Sequence, residues 1–425
     1  MTLSIPRSGA FPQVLPMRRQ AEVIYELLRE RLATVLPRAM RENGIDAWLI
    51  LCQEDNPDPV FASMIPMDTW TPILQVMVFF DRGGDEIERF NISGTATRDL
   101  FQRPYTGQVE AEQWKLLLQL IEERDPKQIG INIGSVQWAA GGLTYNLHKQ
   151  VLEHLPRKYH KRLVSAEPAC TFWLEAFTDK ELEVYRSVVA LAHAIIADTF
   201  SPRAIVPGVT TCEDLRWHYW QLCADRGLEV SFLPFFNIRR GPENRARYGP
   251  DDKVIRRGDL VHCDVGIRYL RMDSDHQQWV YIRRQGETEP PEGIRELLRQ
   301  NNRLQDVFMS EFKLGRTGNQ MLKTMLARAK REGIPGPKIY SHSLGHLLHE
   351  PGPLIGLPWE QKVCPGRGDV KLVYNSCFTM ELSITSTIPE WNDEELRLST
   401  EEDVMFTKDG GCQVIDGRQV EFYLI

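Results

Sequence analysis

Three of the ten histidines of this 425-residue chain lie in one short segment, SHSLGHLLHEPG, at positions 341–352. If the segment were helical, His342, His346 and His349 would share one face, because residues i, i+4 and i+7 lie on the same side of an α-helix. If it were extended, His342 and His346 would share a face and His349 would point away. In both cases two imidazoles converge, which suits a metal ion or a reacting group. A polar helix end would have the same composition.

Carboxylates in apolar strand contexts form the second group of candidate residues. Asp264 and Asp275 lie on the two arms of a predicted hairpin, GDLVHCDVGIRYLRMDSDHQQWVYI, and Glu381 lies in NSCFTMELSITS. Glu401 and its neighbour Glu402 precede the predicted strand VMFT, where a solvated turn is the simpler interpretation of either residue alone. Buried carboxylates are costly unless they are paired or bind a cation. Four such carboxylates with one histidine would suit Mn²⁺, Mg²⁺, Fe²⁺ or Zn²⁺ and could bridge two ions.

The composition is typical of a soluble globular protein and limits the expected partners. Hydrophobic residues make up 42% and charged residues 26% of the chain, and the net charge is −7 with no long basic run. These values argue against nucleic acid and anionic membranes as partners. No apolar run reaches the roughly 18 residues that span a bilayer, and the first residues lack the apolar stretch of a signal peptide. The eight cysteines are scattered without a CxxC pair, so we expect a cytoplasmic protein with reduced thiols.

The elements that must position these residues divide the chain into two expected domains. Helical and strand-like runs alternate at first, which predicts a small α/β domain over residues 1–172. Residues 173–425 begin with a long amphipathic helix and continue with short strands and further helices, which predicts an α+β domain. Thr210 with Glu213 forms a predicted capping box for the second of these helices. All the candidate residues fall in the C-terminal domain.

Taken in chain order, the candidate residues resemble the metal ligands of the aminopeptidase P, prolidase and methionine aminopeptidase superfamily, whose catalytic domain has the pita-bread fold. Its order of Asp, Asp, His, Glu, Glu is matched by five residues of this chain: Asp264, Asp275, His342, Glu381 and Glu401. The segment TEEDVMFT is similar to the superfamily's final Glu-x-x-hydrophobic-x-x-Thr pattern, and this selects the first of its two glutamates as the ligand. The resemblance therefore implies an α/β N-terminal domain followed by an α+β pita-bread catalytic domain.

The spacing of the histidines carries the same resemblance. In this superfamily a metal-binding histidine precedes a second histidine by seven residues, and the second is followed by an acid and often by proline. His342 and His349 have this spacing in HSLGHLLHEP. The resemblance implies that His342 binds metal, that His349 is catalytic and donates a hydrogen bond to the substrate carbonyl, and it gives His346 no role. The segments MRENGIDAWLI and CQEDNP also resemble the creatinase and prolidase N-terminal domain.

The implied activity is that of a dinuclear metallopeptidase of the Xaa-Pro aminopeptidase or prolidase type, acting on short peptides. By resemblance, Asp275 and Glu401 would bridge two divalent ions, Asp264 would bind one of them, and His342 and Glu381 would bind the other. Glu381 would also be catalytic, carrying a proton from water to the leaving amine. The implied cofactors are two Mn²⁺ ions, with Zn²⁺, Co²⁺ or Fe²⁺ as alternatives. Relatives with this domain arrangement commonly associate, so we expect a homodimer.

Residues around the expected metal ligands depart from the superfamily's pattern. The segment GPENRARYGPDD has no histidine where many prolyl peptidases have one, and Gln277 and Gln278 follow the second aspartate in place of Thr-Arg. Ser399 stands two residues before the last glutamate, where an arginine is common, and Arg397 lies two residues further back. These changes leave two alternatives open. One is a creatinase-like hydrolase or a lyase that acts on a non-peptide C–N bond, and the other is a non-catalytic metal-binding interaction protein.

Overall fold

The computed structural model describes residues 12–107 and 109–425, and this part of the chain divides into two compact units. The N-terminal unit comprises residues 15–181 and 350–352, and the C-terminal unit comprises residues 182–349 and 353–425 with the described residues that precede Leu15. The domain boundary expected between residues 172 and 173 stays a prediction, and both residues lie in the helix Glu167–Glu175.

The N-terminal unit is built on a mixed β-sheet, as its alternating sequence predicts. Its strands are β1 (Ala47–Gln53), β2 (Leu74–Phe80), β3 (Glu88–Asn91), β4 (Ile129–Ile131) and β5 (Leu163–Ser165). Its helices are α1 (Met17–Arg41), α2 (Pro59–Ser63), α3 (Glu110–Arg124), α4 (Tyr145–His154), α5 (Arg157–His160) and α6 (Glu167–Glu175), with a 3₁₀ turn at Trp138–Ala140. The strand order is β3-β2-β1-β4-β5, antiparallel from β3 to β1 and parallel from β1 to β5. Every residue of β2 is buried, since a central strand packs on both faces.

The C-terminal unit contains the amphipathic helices expected from its sequence and also the short helix Pro242–Tyr248, which was not predicted. They are α7 (Asp179–Thr199), α8 (Cys212–Asp225), α9 (Pro242–Tyr248), α10 (Glu292–Ser310) and α11 (Gly318–Arg331), with 3₁₀ turns at Arg367–Asp369 and Pro389–Trp391. In the described ranges, 12–107 and 109–425, no helix is long and apolar enough to cross a membrane.

The capping box of α8 lies one residue beyond its predicted position. Thr211, not Thr210, caps the helix: Asp214 N donates to its side chain, and the Asp214 carboxylate accepts from Thr211 N at 2.8 Å. The prediction that Thr210 pairs with Glu213 was therefore wrong. The Thr210 hydroxyl is engaged in the preceding turn, where it accepts from Val206 N at 2.9 Å.

Short strands make up the rest of the C-terminal unit. They are β6 (Glu229–Val230), β7 (Phe235–Arg239), β8 (Leu260–Val265), β9 (Ile267–Tyr269), β10 (Met272–Asp273), β11 (His276–Tyr281), β12 (Lys338–Tyr340), β13 (Ser376–Thr379), β14 (Glu381–Ile388), β15 (Glu394–Thr400), β16 (Asp403–Thr407), β17 (Gly411–Val414) and β18 (Tyr423–Leu424). Among the described residues they form sheets in the orders β10-β9-β6, β18-β11-β8-β7, β12-β14-β15 and β13-β16-β17. The large buried core under these sheets holds side chains of α10 and α11.

The predicted hairpin is present, and it is interrupted by a close backbone approach. Strands β8 and β11 pair antiparallel, and β9 pairs with β10 across a turn in which Leu270 and Arg271 have φ of 52° and 63°. At Gly266, between β8 and β9, an added Cβ would lie 2.0 Å from the Ser274 carbonyl oxygen. Only glycine fits there, so this residue fixes where the register of the hairpin changes.

Candidate metal centre

The five predicted metal ligands come from separate strands and strand ends of the C-terminal unit. Asp264 lies in β8, Asp275 directly precedes β11, and His342 lies just after β12. Glu381 begins β14, and Glu401 lies between β15 and β16. Three sheets therefore contribute to holding these residues, and local sequence alone does not place them together.

Main-chain pairing brings these strand ends side by side. Gln277 pairs with Asp264 in the register of β11 and β8. Gln277 also exchanges two backbone hydrogen bonds with Glu401, of 3.1 and 3.0 Å. Glu381 pairs with Tyr340 of β12, two residues before His342. The positions of the candidate side chains are thus fixed by backbone hydrogen bonds.

Three of the candidate ligands are in direct proximity and fully buried. One ligand atom from each of Asp275, His342 and Glu401 lies within 4.8 Å of the other two. His342 Nε2 lies 3.8 Å from Asp275 Oδ2. Two carboxylate oxygens and one imidazole nitrogen at this spacing can surround one ion.

The two remaining carboxylates interact with the same group. Burial raises the pKa of Asp264 to about 6, and burial together with the Asp264 charge raises the pKa of Glu381 to about 7. Burial also raises the pKa of Asp275 and Glu401 well above the ordinary range, and the neighbouring carboxylates raise both further. The four carboxylates therefore repel one another, which a bound cation would offset.

The polar atoms at the centre fit a divalent cation. Asp275 Oδ1 and Glu401 Oε1 are buried oxygens without a hydrogen-bond partner. His342 Nδ1 lies 3.1 Å from the Ser343 carbonyl oxygen, which can only accept, so Nδ1 carries the proton and the Nε2 lone pair is available on the Asp275 side. Buried acceptors without donors are what a cation site requires.

The histidine segment is neither a helix nor one continuous strand. Ser341 and Ser343 form isolated bridges, and residues 345–349 follow as a series of bends. The rings of His342 and His349 lie 4.5 Å apart between centroids, at an angle of 45°. His349 is exposed while His342 is buried, and His346 is half-buried. The bends thus bring together the two histidines seven residues apart, which an extended segment would have separated.

A hydrogen-bonded relay that the sequence did not reveal leads to Glu401. Gln277 Nε2 donates to Glu401 Oε2 at 2.7 Å, and its Oε1 lies 3.1 Å from His262 Nε2. Since an amide oxygen only accepts, His262 Nε2 carries the proton, and Asn237 Nδ2 lies 3.3 Å from His262 Nδ1. Burial lowers the pKa of His262 to about 3, so the ring is neutral. The relay leaves one oxygen of Glu401 for a metal ion.

The sequence contained one signal for this relay. His262 and Asp264 are two residues apart on β8, and Gln277 is the partner of Asp264 on β11. Residues with this relation lie on one face of a sheet. Gln277, which lies opposite the candidate ligand Asp264, could therefore have been included among the candidate site residues.

Arg397 reaches the neighbourhood of Glu381 although it lies two residues before the usual position. Arg397 Nε donates to Ser383 Oγ at 3.0 Å, and its charge acts to lower the pKa of Glu381, against the larger effect of burial. A shallow groove is lined by Glu381, Arg397, Ser399 and Lys338, among others. Cationic side chains thus stand beside the candidate metal centre.

Comparison with known families and structures is consistent with this geometry. Residues 183–417 match the sequence model of metallopeptidase family M24. No curated protein sequence matches the chain significantly.

Solved structures share the fold at low sequence identity. The X-Pro aminopeptidase from Thermotoga maritima has a TM-score of 0.65 and 18% identity, with 91% of this chain and 100% of that chain covered. The Xaa-Pro dipeptidase from Bacillus anthracis has a TM-score of 0.60 and 17% identity, covering 95% and 100%. The N-terminal domain of the FACT complex subunit SPT16 from Cicer arietinum has a TM-score of 0.58 and 11% identity, covering 92% and 96%.

These similarities confirm the predicted fold, an α/β N-terminal domain with a pita-bread catalytic domain. At such identities the structural likeness establishes the fold alone. The family match covers more than half of the 425 residues. The chain therefore belongs to metallopeptidase family M24.

Proposed function

We propose that this chain cleaves short peptides of the Xaa-Pro type in a metal-dependent reaction, as a dipeptidase or aminopeptidase. The observation that carries the proposal is the group of four carboxylates with raised pKa values, two buried and two half-buried, in which the buried Asp275 Oδ1 and Glu401 Oε1 have no donor. A module used only for interaction has no need to bury unpaired acids. The substrate class is that of the structurally similar X-Pro aminopeptidase from Thermotoga maritima and Xaa-Pro dipeptidase from Bacillus anthracis.

The proposed metal ligands are the five residues expected from the sequence, Asp264, Asp275, His342, Glu381 and Glu401. Four carboxylates and one imidazole form an oxygen-rich set, which suits Mn²⁺ better than a softer ion, and the number of carboxylates is sufficient for two ions. When bound, the ions would polarise the substrate carbonyl and lower the pKa of water.

Two side chains are proposed to act directly on the substrate. Glu381 carries a proton between water and the leaving amine, for which a carboxyl with a pKa near neutrality is suited. His349, exposed and in contact with the ring of His342, donates a hydrogen bond to the scissile carbonyl group. The neutral relay of Asn237, His262 and Gln277 keeps Glu401 in one orientation.

Arg397 is proposed to bind the C-terminal carboxylate of a dipeptide. Arg397 lines the groove beside Glu381, and arginine binds carboxylates with two parallel hydrogen bonds. This assignment favours the dipeptidase over the aminopeptidase, because only in a dipeptide does the free carboxylate lie so near the scissile bond.

Cleavage of a peptide panel tests the proposal. Manganese-loaded protein is incubated with Xaa-Pro dipeptides, their C-terminal amides, Xaa-Pro tripeptides and dipeptides without proline, and released amino acids are measured. We expect cleavage of Xaa-Pro dipeptides, loss of cleavage on metal removal, and a decrease of kcat by at least about 10²-fold in Glu381→Gln.

The variant Arg397→Gln tests whether the free C-terminal carboxylate of a dipeptide is recognised. It should raise KM for the free dipeptide and leave the dipeptide amide unchanged, whereas Arg303→Gln, on an exposed surface of α10, should change neither. Absence of cleavage across the whole panel with metal bound would contradict the peptidase. Cleavage of a non-peptide C–N bond instead would favour the creatinase-like alternative, which the replacement of Thr-Arg by Gln277 and Gln278 keeps open.

The homodimer and the cytoplasmic location expected from the sequence stay predictions. Light scattering at micromolar concentration tests the first, and a monomer would contradict it. Fractionation of cells that express the chain tests the second.

A further inference from the structure

A second group of buried ligand-type side chains lies on the opposite face of the strands that carry the candidate metal centre. Side chains alternate along a strand. Asp275 and Gln277 therefore point to one face of β11 and His276 and Gln278 to the other, and Glu401 and Glu402 are divided in the same way. His193 of α7 completes the second group. We refer to His193, His276 and Glu402 as the histidine cluster.

Distances in the histidine cluster match those of a coordination shell. His193 Nε2 lies 3.0 Å from Glu402 Oε2, and His276 Nδ1 lies 3.3 Å from the same oxygen. One ligand atom from each of the three residues lies within 4.8 Å of the others, and all three residues are buried. Tetrahedral ligands at about 2.0 Å from an ion lie about 3.3 Å from one another, so little movement is needed to surround an ion.

Carboxylates orient both imidazoles from behind. His193 Nδ1 lies 2.8 Å from Asp416 Oδ2, so Nδ1 carries a proton, and a neutral ring would offer its Nε2 lone pair to an ion on the Glu402 side. Asp403 Oδ2 lies 3.6 Å from His276 Nε2, on the side of the ring away from the cluster. A carboxylate behind each histidine is the usual arrangement at metal sites, because it fixes the tautomer and raises the basicity of the ligand.

Unsatisfied atoms point to a ligand that the protein alone does not provide. Neither ring nitrogen of the fully buried His276 has a well-directed hydrogen bond, although Nδ1 lies 3.3 Å from Glu402 Oε2 and Nε2 lies 3.6 Å from Asp403 Oδ2. Gln278 Oε1 is also buried without a partner, while Gln278 Nε2 lies 3.1 and 3.3 Å from the two oxygens of Glu402. Turning this amide by 180° exchanges its oxygen and nitrogen. The turned amide gives up the two contacts with Glu402 and places an acceptor beside the cluster.

We propose that His193, His276 and Glu402 bind a structural divalent cation, separate from the candidate metal centre. Gln278 supplies a fourth ligand through its amide oxygen. Two imidazoles, one carboxylate and one amide oxygen suit Zn²⁺, whereas the oxygen-rich candidate metal centre suits Mn²⁺. The proposal does not depend on the proposed function, since the cluster has no exposed group that could touch a substrate.

The competing arrangement contains no ion. A protonated His193 would donate from Nδ1 to Asp416 and from Nε2 to Glu402, and the network would hold itself together. In this arrangement His276 makes only loose contacts with Glu402 and Asp403, at 3.3 and 3.6 Å, whereas the cation uses His276 as a ligand. The two arrangements therefore differ in whether electron density for a metal ion lies within the histidine cluster.

Anomalous diffraction tests the proposal directly. Crystals of the full chain are grown with Mn²⁺ and Zn²⁺, and anomalous maps are collected above and below the zinc absorption edge. We expect a zinc peak about 2.0–2.2 Å from His193 Nε2 and His276 Nδ1. Zinc or manganese density confined to the candidate metal centre overturns the inference. An empty candidate metal centre with zinc in the histidine cluster would contradict only the proposed function.

Metal content in solution gives a second readout. His193→Gln should lose one equivalent of Zn²⁺ and keep the ions at the candidate metal centre, and His342→Gln should show the reverse. Equal zinc content in the wild type and His193→Gln overturns the proposal. If His193→Gln does not fold, zinc X-ray absorption of the wild-type protein decides instead. Two imidazoles in the zinc shell support the cluster, and their absence refutes it.

Discussion

Replacement of Asp264 by asparagine should stabilise the metal-free protein while it weakens metal binding. Asn has nearly the shape of Asp but no charge, so Asp264→Asn removes one of four mutually repelling carboxylates. Burial raises the pKa of Asp264 from 3.8 to about 6. Because each pKa unit corresponds to 1.36 kcal/mol, the ionised Asp264 costs the folded state about 3 kcal/mol.

The sign of the pH dependence follows from the raised pKa. A carboxyl whose pKa is higher in the folded state binds its proton more tightly there, so stability is complete below about pH 4 and is lost as the pH rises through about 6. Asp264→Asn should therefore be more stable than the wild type by about 3 kcal/mol at pH 8 and by less than about 1 kcal/mol at pH 4. For the unfolding of the C-terminal unit this corresponds to a rise in Tm of about 6–12 °C at pH 8.

Calorimetry in excess chelator measures this difference at both pH values. Asp259→Asn is the matched control, because Asp259 directly precedes β8, is fully buried and pairs with Arg240 Nη2 at 2.8 Å. Loss of that charge should lower the Tm. A metal-free Asp264→Asn that is less stable than the wild type at pH 8, or equally stabilised at both pH values, would refute the idea that the ionised Asp264 destabilises the metal-free protein.

Three further outcomes are expected. Gln277→Leu removes the last donor of the relay and should weaken Mn²⁺ binding by about 10–100-fold, as measured by titration calorimetry; unchanged affinity would show that the relay does not position its glutamate. His342→Ala should lose Mn²⁺ and His346→Ala should keep it, and equal metal content in the two variants would contradict the assignment of His342 as the metal ligand. Mn²⁺ binding should weaken as the pH falls below about 7, because Glu381 and then Asp264, with pKa values of about 7 and about 6, take up protons; calorimetry in buffers of different ionisation enthalpy should detect proton release on binding.

Local sequence patterns predicted many elements of this chain, since breakers and periodicity act within a few residues, although the cap of α8 was misplaced by one residue. The long amphipathic helix α7 and the hairpin that carries Asp264 and Asp275 both lie where the sequence places them. The candidate ligands were found through a resemblance in their order and spacing, and their role stays a prediction although the structure gathers them.

Contacts between distant segments could not be predicted in this way. His193 and Glu402 are 209 residues apart in sequence and 3.0 Å apart in the structure. The relay from Asn237 to Glu401 likewise joins β7, β8 and β11 with the end of β15. Tertiary pairing sets these distances, and no periodicity within one segment encodes them.

The division of neighbouring residues between two faces has a consequence for folding. If β11 paired with β8 one residue out of register, His276 and Gln278 would take the places of Asp275 and Gln277, and each face would receive the other's side chains. In the shifted register neither face of the sheet would have a complete set of ligands. At Gly266 a side chain would collide with the Ser274 carbonyl, so a shifted register that placed another residue there would be disfavoured. A substitution at Gly266 would therefore yield misfolded chains that cannot be rescued by metal, even though no ligand has changed.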